Sequence, residues 1–426
     1  MTTTIEVGML GLGTVGSGVV TRLHQATQKI EQTQGFRLHL AAVAVNHLNA
    51  PRSVTLPIGT RLTDSIQTVV TDPQIQLVIE VMGTVTTAKQ AIITALTHGK
   101  SVITANKDLM ATAGAELIAL AQQQQVDLFY EASVAGGIPI LRTLTDSYAT
   151  DQITAVAGII NGTANYILSA MTQGQSYEQA LVAAQQAGYA EADPTNDVAG
   201  WDTAYKLIIL SQFAFGQGPS LASLQPVGIT TLTAASCQQA AKYGWQIKLL
   251  AQAQLAKGKL YCRVAPVAVP LGQALSQVSG VQNGVAVTSR AIGSSLYTGP
   301  GAGSTATANS VLNDVLIAAQ HRLTHTAGRA FNLQKRDLPV ASLAQVPQAY
   351  LLFSPVASAT LSQLTGVSVV DWRSFGGNGY QTGVLTSDQV RGLTATGAQL
   401  IPIAGSVVWS TAAATSQSAV ATKMAI

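Results

Sequence analysis

The chain has 426 residues, a formal net charge of +3 and two cysteines. That length holds two or three domains with a substantial core and needs no disulfide framework. Charged residues make up only 10% of it, against about 25% in ordinary globular proteins, and the absence of a long basic run argues against a nucleic-acid groove.

The opening MTTTIEVGML has neither the basic region nor the cleavage site of a signal peptide. No uninterrupted apolar stretch reaches the roughly 18 residues that span a bilayer. The expectation is a soluble cytoplasmic protein in which Cys237 and Cys262 are buried free thiols.

Residues 5–10 read as a strand, and the glycine pattern Gly11, Gly13, Gly16 follows directly. Residues 15–28 read as the helix after that turn. A strand, a glycine turn and a helix form a socket for a dinucleotide pyrophosphate. Gly11 permits the sharp turn, Gly13 lets the backbone approach phosphates, and Gly16 lets the helix pack close to the strand. Strands at 38–45, 77–81, 101–104 and 127–131 then alternate with helices at 64–70, 87–98 and 111–124. Short apolar runs alternating with longer periodic segments predict a mostly parallel sheet covered by helices.

After Gly136-Gly137 the pattern changes. A helical segment at 138–144 and a strand at 153–160, ending at Asn161-Gly162, are followed by helices at 164–171, 176–187 and 197–213. Strands at 243–256, 260–269 and 284–289, with a hairpin at Lys257-Gly258-Lys259, complete a second α+β domain. A long helix at 305–319 follows a glycine-rich turn and is expected to return to the first domain. Beyond about 323, strand character at 349–353, 368–372 and 400–403 and helical character at 357–363 and 387–393 predict a small third α+β unit. Residues 411–426 are expected to fray. The predicted plan is a dinucleotide-binding domain over 1–137, joined by the returning helix 305–322. A second, α+β domain covers 138–304, and a small C-terminal domain covers 340–426.

Candidate chemistry concentrates in three places. Lys107 follows a buried strand at the carboxyl end of the parallel sheet, where ligands bind. It could hold a carboxylate or a nicotinamide-side group, or be a solvated loop lysine. The densest cluster is GYAEADPTNDVAGWDTAYKL at 188–207, which holds four of the chain's 20 acidic residues between 191 and 202. Asp202 and Lys206 are spaced i,i+4 and share a helix face. Lys206 precedes the apolar run 207–210, so its helix is expected to be buried, where a lysine is costly unless paired or used. Glu191 and Asp193 could converge on a small polar ligand, and Asp197 could cap the helix. A capped helix with a surface ion pair is the plainer alternative. Third, Glu131 beside a glycine loop could combine with carbonyls to hold a hard cation. The six histidines have no metal-ligand spacing.

An acid at the end of the second strand would favour NAD, and an arginine NADP. Here the strand runs into Asn46-His47, and Arg52 comes later. Either cofactor fits, with a lean to NADP.

Together these segments resemble homoserine dehydrogenases. The resemblance rests on GLGTVG at 11–16, GKSVITANKDLMA at 99–111, EASVAGGIPI at 131–140, NGTANYIL at 161–168, the 188–207 segment and TGPGAGSTATANSV at 298–311. It covers about residues 5 to 320. It implies a Rossmann-type α/β domain, an α+β catalytic and dimerisation domain, and a C-terminal unit in the place of a regulatory ACT domain. It implies reversible NAD(P)H-dependent reduction of aspartate 4-semialdehyde to L-homoserine, on the route to threonine, methionine and isoleucine. The resemblance makes Lys206 the central catalytic lysine, Asp202 and Glu191 homoserine-binding groups beside Asp197, and Lys107 the cleft lysine. Gly11, Gly13, Thr14, Val15, Gly16, Thr84, Gly188, Glu191 and Gly303 would lie near the dinucleotide. Glu131, with Val134, Gly136 and Ile138, resembles a structural sodium site. A homodimer is implied, with a homotetramer as the alternative. Asn46, the stretch 84–88 and Ala306 depart from the usual pattern, and the departure at 84–88 bears on the nicotinamide edge. Another semialdehyde or amino-acid oxidoreductase, or a non-catalytic nucleotide sensor, are the competing readings.

Overall fold

A computed structural model describes residues 3–370 and 372–409, which form two units divided between Leu343 and Ala344. In the first unit, β1 (Thr3–Leu10), α1 (Thr14–Gln34), β2 (Phe36–Ala44), β3 (Arg61–Thr63), α2 (Ile66–Val70), β4 (Leu77–Glu80), α3 (Thr86–Thr97), β5 (Ser101–Thr104), α4 (Lys107–Gln123) and β6 (Leu128–Phe129) alternate. The strands form one parallel sheet in the order β3-β2-β1-β4-β5-β6. Both β4 and β5 are buried along their whole length, as a sheet covered on two faces requires. The strand order reverses at β1, so the crevice between β1 and β4 opens beside the glycine turn.

α5 (Ile140–Asp146), β7 (Ile153–Ile159), α6 (Gly162–Thr172), α7 (Tyr177–Gln186), α8 (Thr195–Val198), α9 (Trp201–Phe215), α10 (Leu221–Leu224), α11 (Ala234–Lys242), β8 (Trp245–Ala256), β9 (Lys259–Pro270), β10 (Gln282–Ser289) and β11 (Ser294–Pro300) follow. With β12 (Val340–Ser342) they build a second sheet in the order β11-β10-β7-β8-β9-β12, antiparallel except for the β9–β12 pair. Lys257 and Gly258 at the β8–β9 turn both have positive φ, the geometry of a tight two-residue hairpin. α12 (Ser304–Thr324) lies along α1, tied by Arg22 to Asn309 at 3.0 Å and by Gln320 to Gln34.

Several expectations need correction. The helix expected over 197–213 is two helices. Gly200 between them is left-handed at φ +87°, and a Cβ there would meet Pro226 and Val264 at 3.3 Å. Asp197 therefore lies inside α8 and caps nothing; Gly200 stands at the α9 N-terminus. The strand expected to reach Glu131 stops at Phe129, and Glu131–Ser133 forms a 3-10 turn. β3, β11 and β12 are strands that the expected elements do not include.

In the second unit, β13 (Gln348–Phe353), α13 (Ser358–Thr365), β14 (Arg373–Ser374), β15 (Gly379–Leu385), α14 (Ser387–Ala395) and β16 (Gln399–Pro402) give an antiparallel sheet ordered β14-β15-β13-β16. This is a split β-α-β arrangement. Tyr350, Leu352, Leu361, Tyr380 and Leu393 pack in its core. The strand expected at 368–372 is not found among the described residues there, and the adjoining strand is β14. The expected fraying of 411–426 lies outside the described residues. Among the described residues no helix is long and apolar enough to cross a membrane. Cys237 and Cys262 are buried free thiols, both pushed up to about 12 by burial.

Candidate active site

The glycine turn after β1 is built to admit phosphate. Gly11 has φ +98°, and a Cβ on it would come within 2.7 Å of the Val81 carbonyl oxygen. A Cβ on Gly16 would meet the Gly11 carbonyl oxygen at 2.5 Å. Gly13, in contrast, faces open space. Gly13 stands at the N-terminus of α1, where no side chain caps the helix and no acidic residue occupies the first turn. The free N–H groups and the positive end of the helix dipole are thus left for a ligand, which suits a dinucleotide pyrophosphate. Ser304 donates to the Thr14 carbonyl at 2.8 Å, bringing Gly303 beside the same turn.

The carboxyl ends of β4 and β5 are braced by a buried acid. Glu80 accepts the Thr104 hydroxyl at 2.6 Å and the Met82 N–H at 2.8 Å. Burial pushes its carboxyl up, against the pull of these bonds. Thr104 accepts the Asn106 N–H, and Asn106 caps α4 through Leu109 N–H while donating to the Thr84 carbonyl at 2.7 Å. Lys107 is thereby fixed as the first residue of α4, and the Thr84 loop is held beside it.

The acid–lysine cluster forms where β7 runs into α6. Lys206 donates to Asp202 Oδ2 at 2.7 Å and to the Ile160 carbonyl at 2.8 Å. Lys107 Nζ lies 3.5 Å from Asp202 Oδ1. Asn161, the strand end that opens the NGTANYIL segment, ties the group together. Its oxygen accepts Ala164 N–H as the cap of α6, so its amide nitrogen must face the acids. That nitrogen donates to Asp197 at 2.6 Å and to Asp202 at 2.8 Å. Burial alone would raise Asp202, but the Lys206 and Lys107 charges outweigh it and hold the carboxyl below its ordinary value. Burial pushes Asp197 up, against the Asn161 bond. Burial would likewise lower Lys107, yet Asp202 and Asp108 keep its ammonium above its ordinary value. The cost of a buried lysine, anticipated for Lys206, is met by a charged partner.

A cavity of about 730 Å³ joins these parts. Thr14, Val15, Lys107, Gly136, Gly188, Glu191, Asp197, Asp202, Lys206 and Gly303 line it, with Asn161, Thr163 and Tyr205 in addition. Gly11, Gly13, Gly16, Thr84, Glu131, Val134 and Ile138 do not. The first three shape the turn behind the cavity. Asp193 lines the cavity too, but its carboxylate bonds Thr195.

Glu131 is differently employed. Its two carboxylate oxygens accept the N–H groups of Leu141 and Arg142 at 2.8 Å, at the start of α5. Burial and neighbouring Asp314 push it up to about 8, against those two donors. The Gly136 carbonyl accepts Ser310, and the Ile138 carbonyl accepts Ile140 N–H. Each Glu131 oxygen thus accepts one N–H bond and keeps a further lone pair. The carbonyls of Gly136 and Ile138 likewise accept one bond each and keep a second lone pair.

At the end of β2, Arg52 folds onto its own loop, donating to the His47 and Leu48 carbonyls at 2.8 and 3.0 Å. No acid stands at Asn46 or His47 to repel a phosphate.

Comparison with known proteins agrees with this arrangement. Residues 11–131 match the family model described as homoserine dehydrogenase, NAD binding domain, and residues 139–316 match the homoserine dehydrogenase model. The homoserine dehydrogenase of Bacillus subtilis is 42% identical over 328 residues, covering 77% of this chain and 76% of its own. That of Lactococcus lactis is 37% identical over 351 residues, covering 82% of each. The crystal structure of a homoserine dehydrogenase from Thiobacillus denitrificans superposes with a TM-score of 0.86 at 34% identity, covering 94% of this chain and 98% of that one. The two family models and the 37% and 42% identities over most of the chain place it in the homoserine dehydrogenase family.

Proposed function

We propose that the protein reduces L-aspartate 4-semialdehyde reversibly to L-homoserine in the cytoplasm. The observation that carries this is the Lys206–Asp202–Lys107 cluster opening into the cavity that also reaches the first turn of α1. When bound, a nicotinamide cofactor supplies the hydride. The protein's task is to bind, orient and manage charge. As the aldehyde carbon is reduced, negative charge grows on its oxygen. Lys206 stabilises that oxygen through an N–H bond and gives it a proton. Asp202 accepts the Lys206 N–H bond at 2.7 Å and fixes its direction. Lys107 meets the substrate carboxylate, and Glu191, with Asp197 nearby, receives the substrate ammonium.

The cofactor preference is for NADP, supported by the lack of an acid at Asn46 and His47. A symmetric homodimer through the second domain follows from the family resemblance. Purified protein should oxidise NADPH with aspartate semialdehyde far faster than with other aldehydes. Lys206→Met should lower kcat by about 10²–10⁴-fold while cofactor fluorescence titrations stay unchanged. Wild-type turnover in that variant would remove Lys206 from the reaction.

A further inference from the structure

Lys248 lies outside the active cavity and has no part in the reaction above. It sits on β8, 2% exposed. Its Nζ donates to the Val278 carbonyl at 2.6 Å and to the Asn165 side-chain oxygen at 3.2 Å. Both partners are neutral, and an ammonium has a third N–H to place. Burial is the one influence on its proton, pushing it down to about 8; no neighbouring carboxylate offsets that. Lys206 and Lys107 have Asp202 beside them, whereas Lys248 has no such partner among the described residues. A buried cation in that position is costly until a negative charge reaches it.

Lys248 also lines a second cavity, of about 190 Å³. Gln246, two residues earlier on β8, shares its strand face and lines the same space. The rest of the lining consists of hydroxyls and amides, among them Ser169, Thr172 and Ser276, with one leucine and no carboxylate. The volume admits a molecule of only a few heavy atoms.

We propose that this cavity is a binding site for a small oxyanion, held by the Lys248 ammonium and the Gln246 amide. The site adjoins the catalytic machinery through one helix. Asn165, the neutral partner of Lys248, lies on α6, four residues after Asn161. Asn165 also donates to the Gln282 carbonyl at 3.1 Å, and the neighbouring Val281 lines the active cavity.

The test is calorimetric titration of the full chain near pH 8 with sulfate or acetate, each in two buffers of different ionisation heat. Wild type should bind at least one of the two saturably. It should take up about half a proton per site, because an anion restores the charge of a half-neutral lysine. Saturation by sulfate alone marks a tetrahedral oxyanion site, and by acetate alone a carboxylate site. Lys248→Met should abolish the proton uptake and weaken binding about 10-fold or more. Gln246→Leu, which leaves the lysine in place, should weaken binding several-fold and keep the uptake. Anion binding at the α1 turn is common to all three proteins and cancels in the comparison. Equal affinity and equal proton uptake in wild type and both variants would overturn the proposal, as would no saturable binding of either anion.

Discussion

Asn161→Asp is the most demanding test of the acid–lysine cluster. Aspartate caps a helix as well as asparagine does, so the bond to Ala164 N–H survives and the fold should hold. What changes is the other arm. Two N–H donors, at 2.6 Å from Asp197 and 2.8 Å from Asp202, give way to a third carboxylate. Each hydrogen bond to a charged group contributes about 1.5–3 kcal/mol. Two like charges about 4 Å apart repel by about 4 kcal/mol at an effective dielectric of about 20. The cluster can relieve this by taking up a proton, so the kinetic cost is smaller than the sum. We expect kcat to fall about 100-fold near neutral pH, or about 2.7 kcal/mol of transition-state stabilisation. The variant should recover relative to wild type as pH falls, because a shared proton restores a donor between the acids. Asn161→Ser keeps the cap and adds no charge, so its loss should be milder and independent of pH. The assay is NADPH consumption with aspartate semialdehyde from mildly acidic to alkaline pH, with melting temperatures as the check on folding. An Asn161→Asp enzyme with wild-type kcat and the wild-type pH profile would refute the reasoning.

The buried acids at the α5–α12 contact should make stability depend on pH. Burial pushes Glu131 from 4.5 up to about 8 and Asp314 from 3.8 up to about 6. The folded state thus holds protons that the unfolded chain has released. Their contribution is fully present below the ordinary values and is lost as pH rises through about 6 and then about 8. Thermal unfolding of the full chain should show a decline across that window, and Glu131→Gln should flatten its alkaline part; an unchanged slope would count against it. Asn46→Asp should shift the kcat/KM ratio from NADPH toward NADH by about 10-fold or more, since a carboxylate repels a ribose phosphate and bonds a ribose hydroxyl; a ratio that does not move would place the selecting group elsewhere. Gly16→Ala drives a Cβ to 2.5 Å from a backbone oxygen, so it should cost about 1–3 kcal/mol in denaturant unfolding and weaken cofactor binding.

The nucleotide socket could be read from the sequence because its signal is local. A buried strand, three glycines and a helix declare their own geometry within about 15 residues. The Asp202–Lys206 pair was legible for the same reason, as one turn of one helix. Asn161 was not. Its acids lie 36 and 41 residues away, and an Asn-Gly pair after a strand reads first as a turn. Its spacing before Ala164, a cap position, and its place at the head of NGTANYIL were the only hints, and neither points to the acids. The break between α8 and α9 rests on Gly200, whose left-handed backbone and close neighbours Pro226 and Val264 leave little room for a Cβ; an isolated glycine inside a helical pattern does not declare such a break. β11 escaped because it pairs on one side only, with β10, and its residues are mostly polar or small. The role of Glu131 at the start of α5 is hidden in the sequence, because the Leu141 and Arg142 N–H groups that it accepts lie 10 and 11 residues away.

The Ser304–Thr14 contact has a consequence for biogenesis. The two residues are 290 positions apart. Nearly three-quarters of the polypeptide must therefore leave the ribosome before the coenzyme seat can close around its final wall. Until then the amino-terminal sheet can form, but its α1 flank stays uncovered where α12 will lie. A nascent chain interrupted before residue 303 should consequently gain little protection from the coenzyme, however complete its own strands are.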